Sequence, residues 1–446
     1  MTALDTHAHG HHHGQSDNAE ALRPENINLA PGAGKGLSVA LLALGAILAV
    51  AGVAMAYLKV GGVWPRQAVA AYLVAALAML AVCLGATFFV MVFHLLNAGW
   101  TATLRRQFEN VMTLTPLAWL MVLPALVAEV AADGRLYMWM NDSVADSHLL
   151  HEKAPYFFWP LHVDHGHSPF PAFWALRTIL YGAFWFFITS RLMGFSRAQD
   201  ADGRVEHAAR ARFTSAWALP LFAISIAFAA FDYLMSLDYS FFSTMWGVWY
   251  FAGAAFSSCA VIILVFAFLT RAGKLRGAVT KEHFHDLGKL LFSFTVFWAY
   301  ISFSQYFLIW YSNIPEETAF FLERTQVGSP WRPVGITLMI GHFIAPFLIV
   351  LFRGVKRNPA VMIAICLWCL AMHVLDIYFM ARPVVYGGPL NTETPSHAAV
   401  IAVDLLVIVG VVAVFFGLLI RKVASGPLVA VNDPYMSESL EHKNYV

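Results

Sequence analysis

Long uninterrupted apolar runs, separated by short polar stretches, fill the chain from about residue 37 to residue 420. A helix rises ~1.5 Å per residue, so roughly 20 apolar residues cross the core of a bilayer. About ten such runs can be drawn, near residues 37–58, 67–100, 113–132, 172–194, 213–235, 244–270, 286–312, 333–354, 359–382 and 398–420. They are continuous, without the alternation of a barrel strand, and about twice its length, which excludes a transmembrane barrel. The pattern predicts an all-α polytopic membrane protein.

Composition strengthens that expectation, because 59% of the 446 residues are hydrophobic and only 12% are charged, unlike a soluble domain. Charge then orients the chain. Arg105, Arg106, Arg204, Arg210, Arg212, Lys274, Arg276, Lys281, Arg353, Lys356, Arg357, Arg421 and Lys422 gather in one set of loops and ends. Few cations, among them Arg135, Lys153, Arg177, Arg324 and Arg382, fall on the other side. By the positive-inside bias both termini are expected in the cytoplasm, which requires an even number of spans.

Three regions follow. Residues 1–36 form a polar tail with His7, His9, His11, His12 and His13, expected to be disordered and unlike a cleaved signal peptide. Residues 37–421 form the membrane domain, with a long external connection at 133–171, and residues 422–446 a second cytoplasmic tail. The connection contains LHVDHGHSP, where His162, Asp164, His165 and His167 are dense but follow no standard metal spacing. Cys83, Cys259, Cys366 and Cys369 all fall in apolar runs and read as small core residues. No Walker A loop, no dinucleotide fingerprint and no soluble segment of domain size is present, so no nucleotide or nucleic-acid chemistry is expected.

The candidate chemistry is intramembrane. Glu129, Asp232, Asp376 and Asp404 sit inside or at the ends of apolar runs, displaced toward one membrane face, while His342 and His373 lie near mid-depth and His94 toward the other face. An ionised carboxylate in hydrocarbon is costly unless paired, neutralised or hydrated, so these seven residues are candidates for a proton path or a quinol site. His373 and Asp376 are three apart on one helix and share a face, an arrangement in which a carboxylate can orient an imidazole. Ser302, Ser304, Gln305 and Tyr306 add a polar stretch in the seventh run, and Asp238 is placed to cap the sixth helix. A haem site is not expected, since His342 and His373 meet only the condition of similar depth.

Two runs go beyond generic membrane composition: FDYLMSLDYSFFSTMWGVWYF, from Phe231 to Phe251, and YFLIWYSNIPEET, from Tyr306 to Thr318. They resemble the ActF-type membrane subunits of bacterial alternative complex III, a quinol:cytochrome c oxidoreductase, which are related to NrfD and polysulfide-reductase membrane anchors. The resemblance extends over about residues 37 to 420. It implies two four-helix bundles flanked by two further helices in a bacterial inner membrane. It also implies external haem and iron–sulfur partner subunits that hold the redox centres, no haem or cluster in this chain, and a role in proton conduction beside a sister subunit's quinol site. Quinone or quinol is the ligand that this implies, with membrane lipid around it. The rival expectations are a proton-coupled secondary transporter and a purely structural anchor.

Overall fold

The computed structural model describes residues 20–60, 66–164, 166–387 and 397–444; the tail histidines and His165 lie outside the described residues. Among these residues ten helices are long and apolar enough to cross a membrane, and there is no strand. We label them α1 (Lys35–Leu58), α2 (Arg66–Leu95), α3 (Gly99–Ala131), α4 (Ala172–Asp202), α5 (Val205–Leu237), α6 (Trp246–Arg271), α7 (Lys281–Ser312), α8 (Arg332–Leu351), α9 (Pro359–Val385) and α10 (Ala399–Val423). The all-α multi-pass membrane architecture expected from the hydropathy pattern is therefore the one observed.

Helices α2 to α5 close one four-helix bundle, in which α2 packs on α3 and α5, and α4 packs on the same two. Helices α6 to α9 repeat the arrangement, with α6 and α8 each packed on α7 and α9. The bundles meet where α2 packs on α6 and α9, so α2 and α6 are almost wholly buried. Outside them α1 pairs with α10, and α10 rests on α2.

In a bilayer, helices gain little from hiding apolar surface from one another, so close packing at small residues decides which pairs associate. At the α2–α6 crossing a Cβ on Gly85 would lie 2.0 Å from the Ala254 carbonyl oxygen. Gly85→Val is expected to force the bundles apart and to cost at least the ~1–3 kcal/mol of an overpacked core, read as a lower thermal midpoint of the solubilised chain. The α1–α10 pair uses the same device, with Gly45 set against the Gly410 carbonyl and Ser38 donating to the Gly417 carbonyl at 2.7 Å.

Two expectations need correction. Residues 20–36 are not a disordered tail: the short helix Pro24–Ile27 is fastened by Asn26, whose side-chain amide donates to Ala21 and Arg276 carbonyls at 2.7 and 2.8 Å. Leu275 and Leu428 donate their backbone N–H to the Asn26 and Ile27 carbonyls. These bonds tie both chain ends and the α6–α7 loop to one face, the terminal face; the opposite one is the loop face.

Helix α3 also begins well before residue 113. Arg105, Arg106, Gln107, Glu109 and Asn110 look like a solvated loop in sequence but are buried, because they neutralise one another under the C-terminal segment. Arg105 pairs with Asp433 and lies 3.5 Å from Glu109, while Arg106 pairs with Asp200 and lies 3.3 Å from Glu109. Ser439 then contacts Thr103 at 2.8 Å, and His442 meets Asp286 of α7 at 2.6 Å. The C-terminal segment thus straps the first bundle to the second.

Candidate functional site

Three of the four sequence-selected carboxylates are occupied with holding the fold. Asp232 on α5 faces α4, where Arg177 and Tyr181 are four residues apart and therefore on one face. Arg177 grips it through both oxygens, at 2.9 and 2.6 Å, and the Tyr181 hydroxyl donates to it at 2.7 Å. Asp404 on α10 is held in the same way by Arg382, at 3.1 and 2.7 Å, and by the Tyr378 hydroxyl at 2.7 Å, from one face of α9. Each is a buried, fork-shaped pair with its charge cancelled.

Glu129, at the loop-face end of α3, has a different task. Its Oε2 accepts the backbone N–H of Leu136 at 2.5 Å and of Tyr137 at 3.4 Å, folding the following loop back onto the bundle. Burial and the nearby Glu129 charge push the Tyr137 phenol well above its ordinary range, so its hydroxyl stays protonated and donates to the Tyr233 carbonyl at 2.8 Å. Glu129→Ala strands those two N–H groups and is expected to cost about 1–3 kcal/mol, whereas Glu129→Gln, which keeps an acceptor, should leave stability nearly unchanged; unfolding midpoints of the solubilised variants check the pair.

Asp376 is the exception. It is buried in the second bundle, on the loop-face side of His373 along α9, and among the described residues no cation contacts it. Trp298 of α7 donates its indole N–H to Oδ2 at 2.8 Å. The indole of Trp249 on α6 is the other polar neighbour, yet Trp249 Nε1 and Asp376 Oδ1 both lack a hydrogen-bond partner. His342 lies against Trp298, ring centres 3.8 Å apart, and neither of its nitrogens has a partner. It sits in a π-helical turn, Met339–Ile344, the kind of irregularity that recurs at functional positions.

His373 completes the group, but not as the sequence spacing suggested. No hydrogen bond joins it to Asp376; its Nε2 donates to the Ala78 carbonyl of α2 at 3.4 Å and its Nδ1 is unpartnered. The ring packs over Gly253 of α6, where an added Cβ would come within 3.3 Å of it, and the Ala78 carbonyl is the partner it takes. The result is one buried centre, drawn from α6, α7, α8 and α9, in which unpaired polar atoms of His342, His373, Asp376 and Trp249 gather. Buried polar atoms are normally satisfied, and a cluster of exceptions marks a place for water or a bound polar group.

His94 does not belong to that centre. It is buried at the terminal-face end of α2 beside Arg105, 16 residues beyond Ala78 and so ~24 Å along the helix. Buried hydroxyls on the intervening stretch, Thr87 against Thr115 at 3.1 Å and Ser258 beside Gly85, lie between the two. The polar stretch in α7 is dispersed: Gln305 is buried and accepts from Ser243, while Tyr306 rests on Phe321. Asp238 caps no helix but closes its own turn on Ser240 at 3.1 Å.

The loop face is closed above both bundles. The connection 133–171 folds Trp139, Phe157 and Phe158 over the first, and Arg324, buried and pushed down to about 9 by that burial, seals the second by donating to the Phe320, Phe379 and Met380 carbonyls. Among the described residues no three histidine, cysteine or acidic side chains converge as metal ligands. Beside Asp404 a groove of about 660 Å³ opens between α8, α9 and α10, apolar along Leu367, Leu405, Val409 and Phe416 and polar only at its Tyr378–Asp404 end.

Sequence reading missed Arg177, Arg382 and the terminal-face network, having assigned those charges only to topology. The Arg177–Tyr181 and Tyr378–Arg382 spacings were the available signal, since an intramembrane Arg and Tyr on one face need an acid opposite. Fold and site together define a polytopic α-helical membrane protein with a buried acid–imidazole centre. Compared with known proteins, no family model matches the chain and no curated sequence matches it, so the functional reading rests on that centre.

Proposed function

We propose that the chain is an integral subunit of a respiratory quinol-oxidising complex, a quinol:cytochrome c or similar oxidoreductase of a bacterial inner membrane. In this reading both termini are cytoplasmic, external haem and iron–sulfur subunits dock on the loop face, and the chain carries protons without being catalytic alone. The observation that carries it is the Asp376 centre: a buried carboxylate with no cation among the described residues, next to two imidazoles that leave both nitrogens of His342 and Nδ1 of His373 unpaired. Such a group is stable in hydrocarbon as the neutral acid, and a neutral acid near imidazoles can give up and regain a proton with little rearrangement. Concentration of Arg, Lys and both ends on the terminal face supports the orientation. The groove beside Asp404 offers room for the tail of a quinone, with Tyr378 at its head end.

Purification of the chain under mild detergent from its native membrane tests this reading. Haem absorbance and iron should co-purify in fixed ratio, and the preparation should oxidise quinol. A chain recovered alone that drives solute uptake in proteoliposomes under a proton gradient would replace the reading with a secondary transporter.

A further inference from the structure

We propose that the outward face of α7 is a seam against which a transmembrane helix of a second, different membrane protein packs. Val296, Tyr300, Phe303, Phe307 and Trp310 alternate in steps of four and three along this helix and all point away from the bundle, Tyr300, Phe303 and Trp310 being more than 60% exposed. That spacing keeps one stripe facing a neighbouring helix through a left-handed crossing. The stripe runs ~21 Å, about two thirds of the hydrocarbon core. Phe303 on Phe307 and Phe307 on Tyr311 stack along it, 5.8 and 6.0 Å between centres, which fixes the rings as a ridge.

Depth argues that lipid does not cover this ridge. Tyr300 lies ~17 Å from Lys289, the last charged residue at the terminal-face end, and ~18 Å from Ser312 at the other, which sets it at the midplane. Tyrosines that face lipid collect at the headgroups, where the hydroxyl is wetted. The Tyr300 hydroxyl has no hydrogen-bond partner among the described residues, and hydrocarbon would leave it so. The outward faces of α1 and α10 show what lipid exposure looks like in this chain, with Leu44, Ile47, Val50, Leu405 and Val409 and no hydroxyl at that depth. Mean hydropathy agrees, 1.3 for α7 against 2.6 and 3.0 for those two.

A second copy of the chain is a poor occupant. A two-fold axis along the membrane normal would set ring against ring at successive levels, and helix axes packed at 8–10 Å have no room for that. A helix presenting Gly, Ala, Ser or Thr fits between the rings and supplies an acceptor for Tyr300. The inference rests on the subunit reading only in needing a partner within the membrane.

The test is to replace Tyr300 and Phe307, one at a time, with p-benzoylphenylalanine in native membranes, with Val50 of α1 and bundle-facing Trp298 as reference positions. Illumination should give from both α7 positions one adduct of the same discrete mass, whose second peptide is a small-residue-rich transmembrane helix of a single other protein, with no such adduct from Val50 or Trp298. Adducts with lipid alone, or with a second copy of the chain, would overturn the seam. Lipid-only adducts in a preparation that still carries haem would leave the respiratory reading standing, whereas the helix adduct in a preparation without haem would keep the seam and remove that reading.

Discussion

Arg177→Met is expected to keep the chain from accumulating as a monodisperse species, with a loss of about 3–5 kcal/mol. The cause is the carboxylate left behind. Asp232 is fully buried, and two of its three side-chain bonds come from the guanidinium, so without Arg177 it has only the Tyr181 hydroxyl against the full cost of a buried charge. Arg177 also donates to the Tyr156 carbonyl at 2.6 Å, which holds the helix His148–Phe158 over the bundle. Removing both charges in Arg177→Met with Asp232→Leu should recover most of the loss, because an apolar pair of similar volume needs no compensation. Fluorescence-detected size exclusion and thermal unfolding of the solubilised variants check both; equal behaviour of the single and double variants would show that the ion pair is not what matters there.

The spans were legible in the sequence because one property, roughly 20 apolar residues in a row, is sufficient to define a membrane helix. The polar interior was less so. Arg105 and Arg106 sit beside an apolar run and look like topology markers; only contact with Asp200 and Asp433, far along the chain, reveals that they are buried. Arg177 and Arg382 near the loop face were misread for the same reason, since an arginine at a helix end usually snorkels to water and nothing local says that it faces an acid. The His373–Asp376 spacing put both on one helix face, but the imidazole bonds the Ala78 carbonyl of α2, a partner far along the chain that local spacing does not reveal.

Separating the carboxylates by their partners gives the two kinds of buried acid opposite expectations. Asp232 and Asp404 are ionised anchors, each fixing one helix to the next through arginine. Asp376 has one hydrogen-bond donor, the Trp298 indole, and no cation among the described residues, so no ion pair locks it to a neighbouring helix. Only the second kind can change protonation without unlocking the fold, so the proposed proton traffic is placed on it.

Under the proposed function, Asp376→Asn should therefore leave the proposed complex assembled, its haem content unchanged and its unfolding midpoint equal or higher, because the amide fills the same volume and removes a group that is expensive to ionise. Quinol turnover or proton translocation should nevertheless fall by about a hundredfold, the lower end of what a positioned proton-transfer group contributes. Asp376→Glu, which keeps the acid but lengthens it toward Trp249, should restore part of the rate. His373→Gln should give a smaller loss with the same stability, since it removes the imidazole but can keep a donor to Ala78. Stopped-flow quinol oxidation and proton release in proteoliposomes read these rates, with Glu129→Gln as the reference variant. Unchanged turnover and unchanged proton stoichiometry in both Asp376→Asn and His373→Gln would reduce the centre to a packing element, because a group that carries protons cannot be exchanged for one that holds none without a change in the flow.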